Sequence, residues 1–203
     1  NLFQIMAILV IPIAMVFCFG DLARQKAHAR ALFATMGLIL LAGLAVMLWA
    51  EQRIHPLTGD RSWLEGKELR FTNDSALVWA SFTTAASNGS VNAMHSSLAP
   101  LAGGVALFNM MLGEILFGGV GAGLYGMILF VILTIFLAGL MVGRTPEYAG
   151  KKIGAKEIRL AAIGVILPSA FILVGTAASL LYPEALKSLA NRGPHCLSEL
   201  RYA

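Results

Sequence analysis

A small, polar, uncharged segment in the middle of an apolar chain limits what this protein can fold into. Residues 83–97 read TTAASNGSVNAMHSS, and they lie in a longer stretch, 75–113, that contains no Asp, Glu, Lys or Arg. Irregular polar backbone at membrane depth is tolerated only where protein buries it or where it lines a watery cavity. The pattern therefore favours a short helix, a polar loop and a return to the same side of a membrane, which is the layout of a re-entrant pore loop.

The composition indicates a membrane setting. Hydrophobic residues make up 58% of the 203 residues and charged residues 13%, whereas about a quarter of the residues of a soluble domain are charged. A helical crossing of the bilayer takes about 20 apolar residues, and the chain has four such uncharged stretches. We expect an all-α, multi-pass membrane protein. We also expect this chain to be a piece of a longer protein, because it starts with Asn inside a hydrophobic stretch. The four stretches are 2–20, 31–50, 115–143 and 160–182.

The distribution of Lys and Arg predicts how the chain is threaded. Residues 21–30 and 144–159 are rich in basic side chains, which the positive-inside rule places in the cytoplasm, and the charged loop 51–74 is then external. If residues 75–101 re-enter and leave on the outer side, stretch 115–143 runs inward and both basic loops are cytoplasmic. A full crossing by 75–101 would put 144–159 outside. Two short crossings divided at the glycines of 105–143 also satisfy the rule, so that alternative stays open.

Four consecutive residues are the candidates for an ion filter: Ser87, Asn88, Gly89 and Ser90. Gly89 has access to backbone angles that other residues avoid, so we expect it to take an unusual conformation that lets successive carbonyls converge. A pore helix over residues 76–86 would end at this point, and the partial negative charge of a helix C-terminus favours a cation. The alternative is that these small residues serve packing between membrane helices, and the segment lacks the TVGYG of potassium channels.

Three longer motifs carry a resemblance to a known family. SNGSVNAMHSSL, LGEILFGGVGAGLYGM and GLMVGRTPEYAGKKI follow one another along the chain. In this order and spacing they closely resemble the potassium-binding A subunit of the bacterial Kdp potassium-transporting ATPase. The resemblance implies four helix–pore-loop–helix repeats of the potassium transporter superfamily in the whole polypeptide. Residues 2–20 would then close repeat two, 31–143 would form repeat three with its pore loop at 75–101, and 160–203 would open repeat four.

The resemblance also implies a function. Potassium would pass the filter, whose third segment corresponds to Ser87–Ser90, and move to a separate P-type ATPase subunit that hydrolyses ATP. The chain would itself be non-catalytic, would bind potassium but no organic cofactor, and would lie in the bacterial inner membrane. Its partners would be that catalytic subunit and small accessory subunits of the complex. A passive potassium transporter of the same superfamily and a non-conducting membrane scaffold remain the alternatives.

Five glycines crowd the start of the third stretch. GAGLYG matches the dinucleotide-binding pattern GxGxxG, but no strand or βαβ unit surrounds it, so we reject that function. Close helix packing and a helix break that lines or gates an ion path are both compatible with the cluster. Its members are Gly118, Gly119, Gly121, Gly123 and Gly126.

Two charged residues are further candidates for the ion path or for coupling. Glu114 is the only charge between residues 75 and 143, and acids inside membrane segments are commonly functional, although a carboxylate near a helix start is also favourable. Arg144 follows the third stretch, where a cation favours the helix end; it would set topology, potassium exit or docking of the ATPase. No HxxxH or HExxH motif indicates a transition metal, and the net charge of +4 is explained by topology without nucleic acid.

Overall fold

The computed structural model describes residues 2–52, 66–68, 70, 72–112, 115–118 and 122–182. Within these residues the chain forms six α-helices and one short β-hairpin. The helices are α1 Leu2–Leu22, α2 Lys26–Glu51, α3 Asn73–Ala85, α4 Pro100–Met111, α5 Ala122–Val142 and α6 Ala155–Leu181, and the strands are β1 Glu147–Tyr148 and β2 Lys151–Lys152.

Four of these helices are long and apolar enough to cross a bilayer, namely α1, α2, α5 and α6. The prediction of an all-α membrane protein with four spans is thereby confirmed at the level of its helices. The boundaries of the third span were wrong: the helix starts at Ala122 rather than 115, because Ile115–Phe117 form a turn and the glycines that follow are weak helix formers. Helices α3 and α4 are about 20 and 18 Å long, too short for a hydrocarbon core of about 30 Å.

Contacts divide the chain into two compact units, Asn1–Met127 and Ile128–Ala203. The first begins with a tight helical hairpin of α1 and α2. A Cβ on Gly20 would lie 2.4 Å from the Cβ of Ala29, so only glycine permits this approach of the two helices. The connection reverses at Arg24, whose φ is 54°, and the Gln25 amide donates to the Gly20 carbonyl.

Helices α2, α3 and α4 pack around a core of mostly small side chains. Alanine at such contacts allows helix backbones to approach closely. Gly43 of α2 shows this approach, because a Cβ there would lie 3.3 Å from a methyl carbon of Val105 on α4. The core side chains are Met47, Ala50, Leu77, Ala80, Leu98, Ala99, Ala102 and Ala106.

The chain enters and leaves the region of α3 at one place. Lys67 forms a β-bridge with Ala93, and backbone hydrogen bonds flank it on both sides, from Met94 to Gly66 at 2.8 Å and between residues 68 and 92 at 3.1 Å. Gly66 is required there, since its φ is +71° and a Cβ would lie 2.2 Å from the hydroxyl of Ser97. Residues 66–68 and 92–94 therefore pair with each other at the two ends of the segment that contains α3. These two short segments are called the shared base below.

The second unit carries the GRTPEYAGKKI motif as a tight hairpin. Helix α5 ends at Val142, and the next residue, Gly143, has a φ of +71°. The Arg144 amide donates to the Gly139 carbonyl at 3.1 Å, which is a Schellman ending. Strands β1 and β2 pair antiparallel around Ala149 and Gly150, whose φ angles of 51° and 77° are those of a type I′ turn. In α6 only Ala161 is buried. The predicted start of repeat four extends to residue 203, and its portion 183–203 lies outside the described residues.

Candidate functional site

The candidate filter residues Ser87–Ser90, called the filter strand below, follow shortly after the end of α3. A helix forms where the pore helix was expected, starting at Asn73 rather than residue 76. The Asn88 amide donates to the Thr83 carbonyl at 2.9 Å, and Ser87 has a φ of 52°. This is a Schellman ending with Ser87 in the left-handed position that glycine usually occupies.

The prediction that Gly89 takes an unusual backbone conformation was therefore wrong, because Ser87 takes it instead. The φ of Gly89 lies outside the left-handed range, whereas that of Ser87 lies within it. The physical reason is that α3 needs a left-handed residue to stop, so the chain has already turned before it reaches Gly89. Apart from Gly89 itself and its two chain neighbours, no described residue has an atom within 4 Å of the place where a Cβ on Gly89 would be.

Side chains of α3 hold two of the four candidate carbonyls. The hydroxyl of Thr83 lies 2.6 Å from the Asn88 carbonyl and 2.9 Å from the Ser90 carbonyl, and the indole Nε1 of Trp79 donates to the Ser90 carbonyl at 3.0 Å. Trp79 and Thr83 are both buried. Within the described part of the chain, the carbonyls of Ser87 and Gly89 accept no hydrogen bond. The strand thus presents two anchored carbonyls and two unanchored ones.

The outward side of the strand is open. Ser87, Gly89 and Ser90 are exposed and Asn88 is half-buried. The Asn88 side chain stiffens the strand, because its Oδ1 accepts a hydrogen bond from the Ser90 amide at 3.0 Å. An exposed, locally braced strand beside a buried helix C-terminus is suited to a cation, which both carbonyl oxygens and the helix dipole attract.

Helix α3 is joined to α4 by a buried polar contact between the side chains of Thr84 and Asn109. The Asn109 side-chain amide donates to the hydroxyl of Thr84 at 3.3 Å, and that hydroxyl donates within α3 to the Ala80 carbonyl at 2.7 Å. Both side chains are buried. The contact does not touch residues 87–90, so it fixes the helices rather than the strand.

A buried ionic cluster at the base of the strand was missed by sequence reasoning. Lys67 Nζ donates to a carboxylate oxygen of Glu51 and to Asn73 Oδ1 at 2.8 Å, and the other Glu51 oxygen accepts the Ala99 amide at 3.0 Å. The side chains of Glu51 and Lys67 are 0% and 2% exposed. Glu51, assigned above to a solvated external loop, is instead the buried last residue of α2. The missed signal was its position: a carboxylate at a helix C-terminus is unfavourable and needs a cation.

Helices α4 and α5 are separated by a break that includes the turn Ile115–Phe117 and Gly118, the first residue of the glycine-rich segment. Phe117 has a φ of 51°, which is rare for a bulky residue, and it is buried. Its ring packs on Phe33 of α2 at 5.7 Å, and Phe33 packs on Phe17 of α1 at 5.3 Å. Phe33 lies about 27 Å before Glu51 along α2 at 1.5 Å per residue, so the break and the ionic cluster mark opposite ends of that helix.

The structure describes only some of the remaining candidate residues. Gly118 ends the turn before α5, and Gly123 and Gly126 lie in its first turns. Arg144 is exposed after α5 in the second unit. Among the described residues, no group of three or more His, Cys, Asp or Glu is placed to hold a metal ion. Glu114, Gly119 and Gly121 lie outside the described residues.

Comparison with known proteins identifies the family. The sequence matches the family described as potassium-transporting ATPase A subunit over residues 1–203. The chain belongs to the potassium-transporting ATPase A subunit family. Among similar family members are proteins named potassium-transporting ATPase potassium-binding subunit: one from Leptospira interrogans, 50% identical over 203 residues, and one from Pseudomonas aeruginosa, 49% identical over 208 residues. The alignments cover 100% of this chain and 36% and 37% of those family members.

Proposed function

We propose that this chain is part of the potassium-binding and translocating subunit of an ATP-driven potassium uptake complex in the bacterial inner membrane. It would contribute no catalysis: a P-type ATPase subunit would hydrolyse ATP, and small accessory subunits would complete the complex. Membership of the potassium-transporting ATPase A subunit family supports the proposal. The observation that carries it is the exposed strand 87–90, held against α3 with two carbonyls unanchored.

The strand is proposed to belong to a re-entrant loop that spans residues 75–101. The shared base of residues 66–68 and 92–94 supports this, because α3 and the strand lie between these two hydrogen-bonded segments and would therefore be entered and left on one side. The α3 helix is also too short for a crossing. On this view residues 31–143 form one repeat, 2–20 end the preceding repeat and 160–203 begin the next.

The proposed potassium ligands differ among the four filter residues. The carbonyls of Ser87 and Gly89 would coordinate the ion directly, because no described donor competes for them. The carbonyls of Asn88 and Ser90 already accept hydrogen bonds from α3, and they would act mainly by fixing the strand. Other filter segments of the full-length subunit would supply the remaining ligands, since potassium filters are rings of several loops.

Potassium-dependent ATP hydrolysis tests the proposal as a whole. We expect the full-length subunit, co-expressed with its P-type partner, to give a complex whose ATPase activity requires potassium. Uptake of potassium without any ATP requirement would favour the passive transporter instead. If neither uptake nor potassium-stimulated hydrolysis is observed with an assembled complex, the scaffold alternative is correct.

The glycine-rich break is proposed to be a gate in the path below the filter. Gly121→Leu in the full-length complex should lower the rate of potassium uptake about fivefold, since bulk would obstruct a narrow path, a barrier increase of about 1 kcal/mol. Gly37→Leu on α2, where a Cβ would meet nothing within 4 Å beyond its own helix and chain neighbours, is the control for bulk alone. Normal uptake by Gly121→Leu, or failure of its complex to assemble, would indicate packing rather than gating.

The proposed topology places the hairpin after α5 in the cytoplasm and loop 51–74 outside. In a full-length background without other reactive cysteines, Gly59→Cys should react with a membrane-impermeant maleimide in intact cells, while Lys151→Cys should react only after permeabilisation. Lys151 is suited to this because it is exposed and has ordinary strand geometry. The reverse labelling pattern would show that the basic loops are external and contradict the positive-inside assignment.

A further inference from the structure

We infer that the buried Glu51–Lys67 pair is a positioning device that holds the filter strand from its outer end and thereby sets its affinity for potassium. The inference rests on the proposed function of Ser87–Ser90. It assigns to Glu51 and Lys67 an effect on ion binding, although neither would touch the ion.

The pair joins the helices α2, α3 and α4. Glu51 ends α2, and its carboxylate accepts hydrogen bonds both from Lys67 and from the amide of Ala99, the residue that caps α4. Lys67 also donates to Asn73, the first residue of α3. One ionic cluster therefore fixes the end of one helix and the beginnings of two others.

Lys67 also reaches the strand through its own backbone. It is bridged to Ala93, with hydrogen bonds on both sides of the bridge, and only Val91 and Asn92 lie between Ala93 and Ser90. Within the strand, the carbonyls of Asn88 and Ser90 are held to α3 by Thr83 and Trp79. A displacement of Lys67 would thus be carried through two residues into the Ser90 end of the filter.

Burial makes the cluster sensitive to the loss of one charge. Removing one partner of a buried pair leaves an uncompensated charge and forces local rearrangement, whereas removing both charges is frequently tolerated. The rearrangement would reach residues 66–68 and 92–94, because the backbone of Lys67 is bridged to Ala93 between them. The exposed pair of Glu68 and Arg70 lies in the same part of the chain, and exposed pairs contribute little.

The test uses the assembled full-length complex and its potassium-stimulated ATPase activity. Lys67→Met should raise the potassium concentration for half-maximal activity about tenfold, equivalent to about 1.4 kcal/mol, and should reduce discrimination against rubidium, while changing the maximal rate less. The double variant Glu51→Gln/Lys67→Met should recover part of the affinity. Arg70→Gln, which breaks only the exposed pair, should leave both properties unchanged.

Unchanged potassium affinity and rubidium discrimination in an assembled Lys67→Met complex would overturn the inference, while the filter assignment would stand on its own variants. If single variants do not assemble, the wild-type complex decides the question by amide hydrogen exchange. Saturating potassium, compared with sodium, should slow exchange at Glu68 and Met94, whose amides form the base of the strand. Identical exchange at these amides in both ions would overturn the inference without any variant.

Discussion

Replacing Gly89 with aspartate should raise the potassium concentration for half-maximal ATPase activity about 100-fold and weaken selection against rubidium. Gly89 lies between the two carbonyls that α3 anchors, and its own carbonyl is unanchored by described residues. Because the strand would share a narrow ring with the other filter segments, an added side chain at Gly89 would displace its carbonyl from the ion. A hydrogen bond to a charged group is worth about 1.5–3 kcal/mol, and a carbonyl ligand lost on that scale corresponds to a factor of about 100. The measurement is a potassium titration of the full-length complex.

The appropriate control places the same charge nearby but off the strand. Ser96 is exposed and follows the filter in the same loop, so Ser96→Asp tests whether a carboxylate near the entrance alters affinity by electrostatics alone. We expect a small change there. If Gly89→Asp binds potassium and rejects rubidium as the wild type does, then Ser87–Ser90 are not a filter strand, and the main support for an ion path in this chain is lost.

Replacing Thr83 with valine should raise the half-activating potassium concentration about 30-fold with little change in protein shape. Valine matches threonine in volume but lacks the hydroxyl, so the Asn88 carbonyl loses its donor while Ser90 keeps the Trp79 indole. An acceptor left without its donor costs about 1–3 kcal/mol, and the strand would move to regain one. The potassium titration is again the measurement, with rubidium as competitor.

Thr84→Val is the matched control for this variant. Thr84 is the next residue on α3 and is equally buried, but its hydroxyl bonds within the helix and to Asn109 rather than to the strand. Thr84→Val should lower stability and leave potassium affinity near that of the wild type. Equal loss of affinity in both variants would indicate a general weakening of α3 and would contradict the role given to Thr83.

Sequence reasoning predicted the helices better than the contacts between them. The thickness of the bilayer requires about 20 apolar residues for each helical span. All four spans could therefore be predicted from long uncharged stretches, with errors only at their ends. The left-handed residue was assigned to Gly89, since glycine usually takes that position, but it is Ser87, because the end of α3 determines where the chain must turn. The pairing of Glu51 with Lys67 depends on tertiary packing across an intervening loop, which no local pattern encodes.

Helix α2 contacts two parts of the proposed ion path and sets the distance between them. One end carries Glu51, whose carboxylate accepts hydrogen bonds from Lys67 and from the amide of Ala99. About 27 Å away along the same helix, Phe33 contacts Phe117 at the glycine-rich break. A continuous helix resists compression, so a sliding movement of α2 would displace both places by the same amount. Through these contacts, such a movement would shift the strand and the break together, and a change in the length of the helix would alter their spacing.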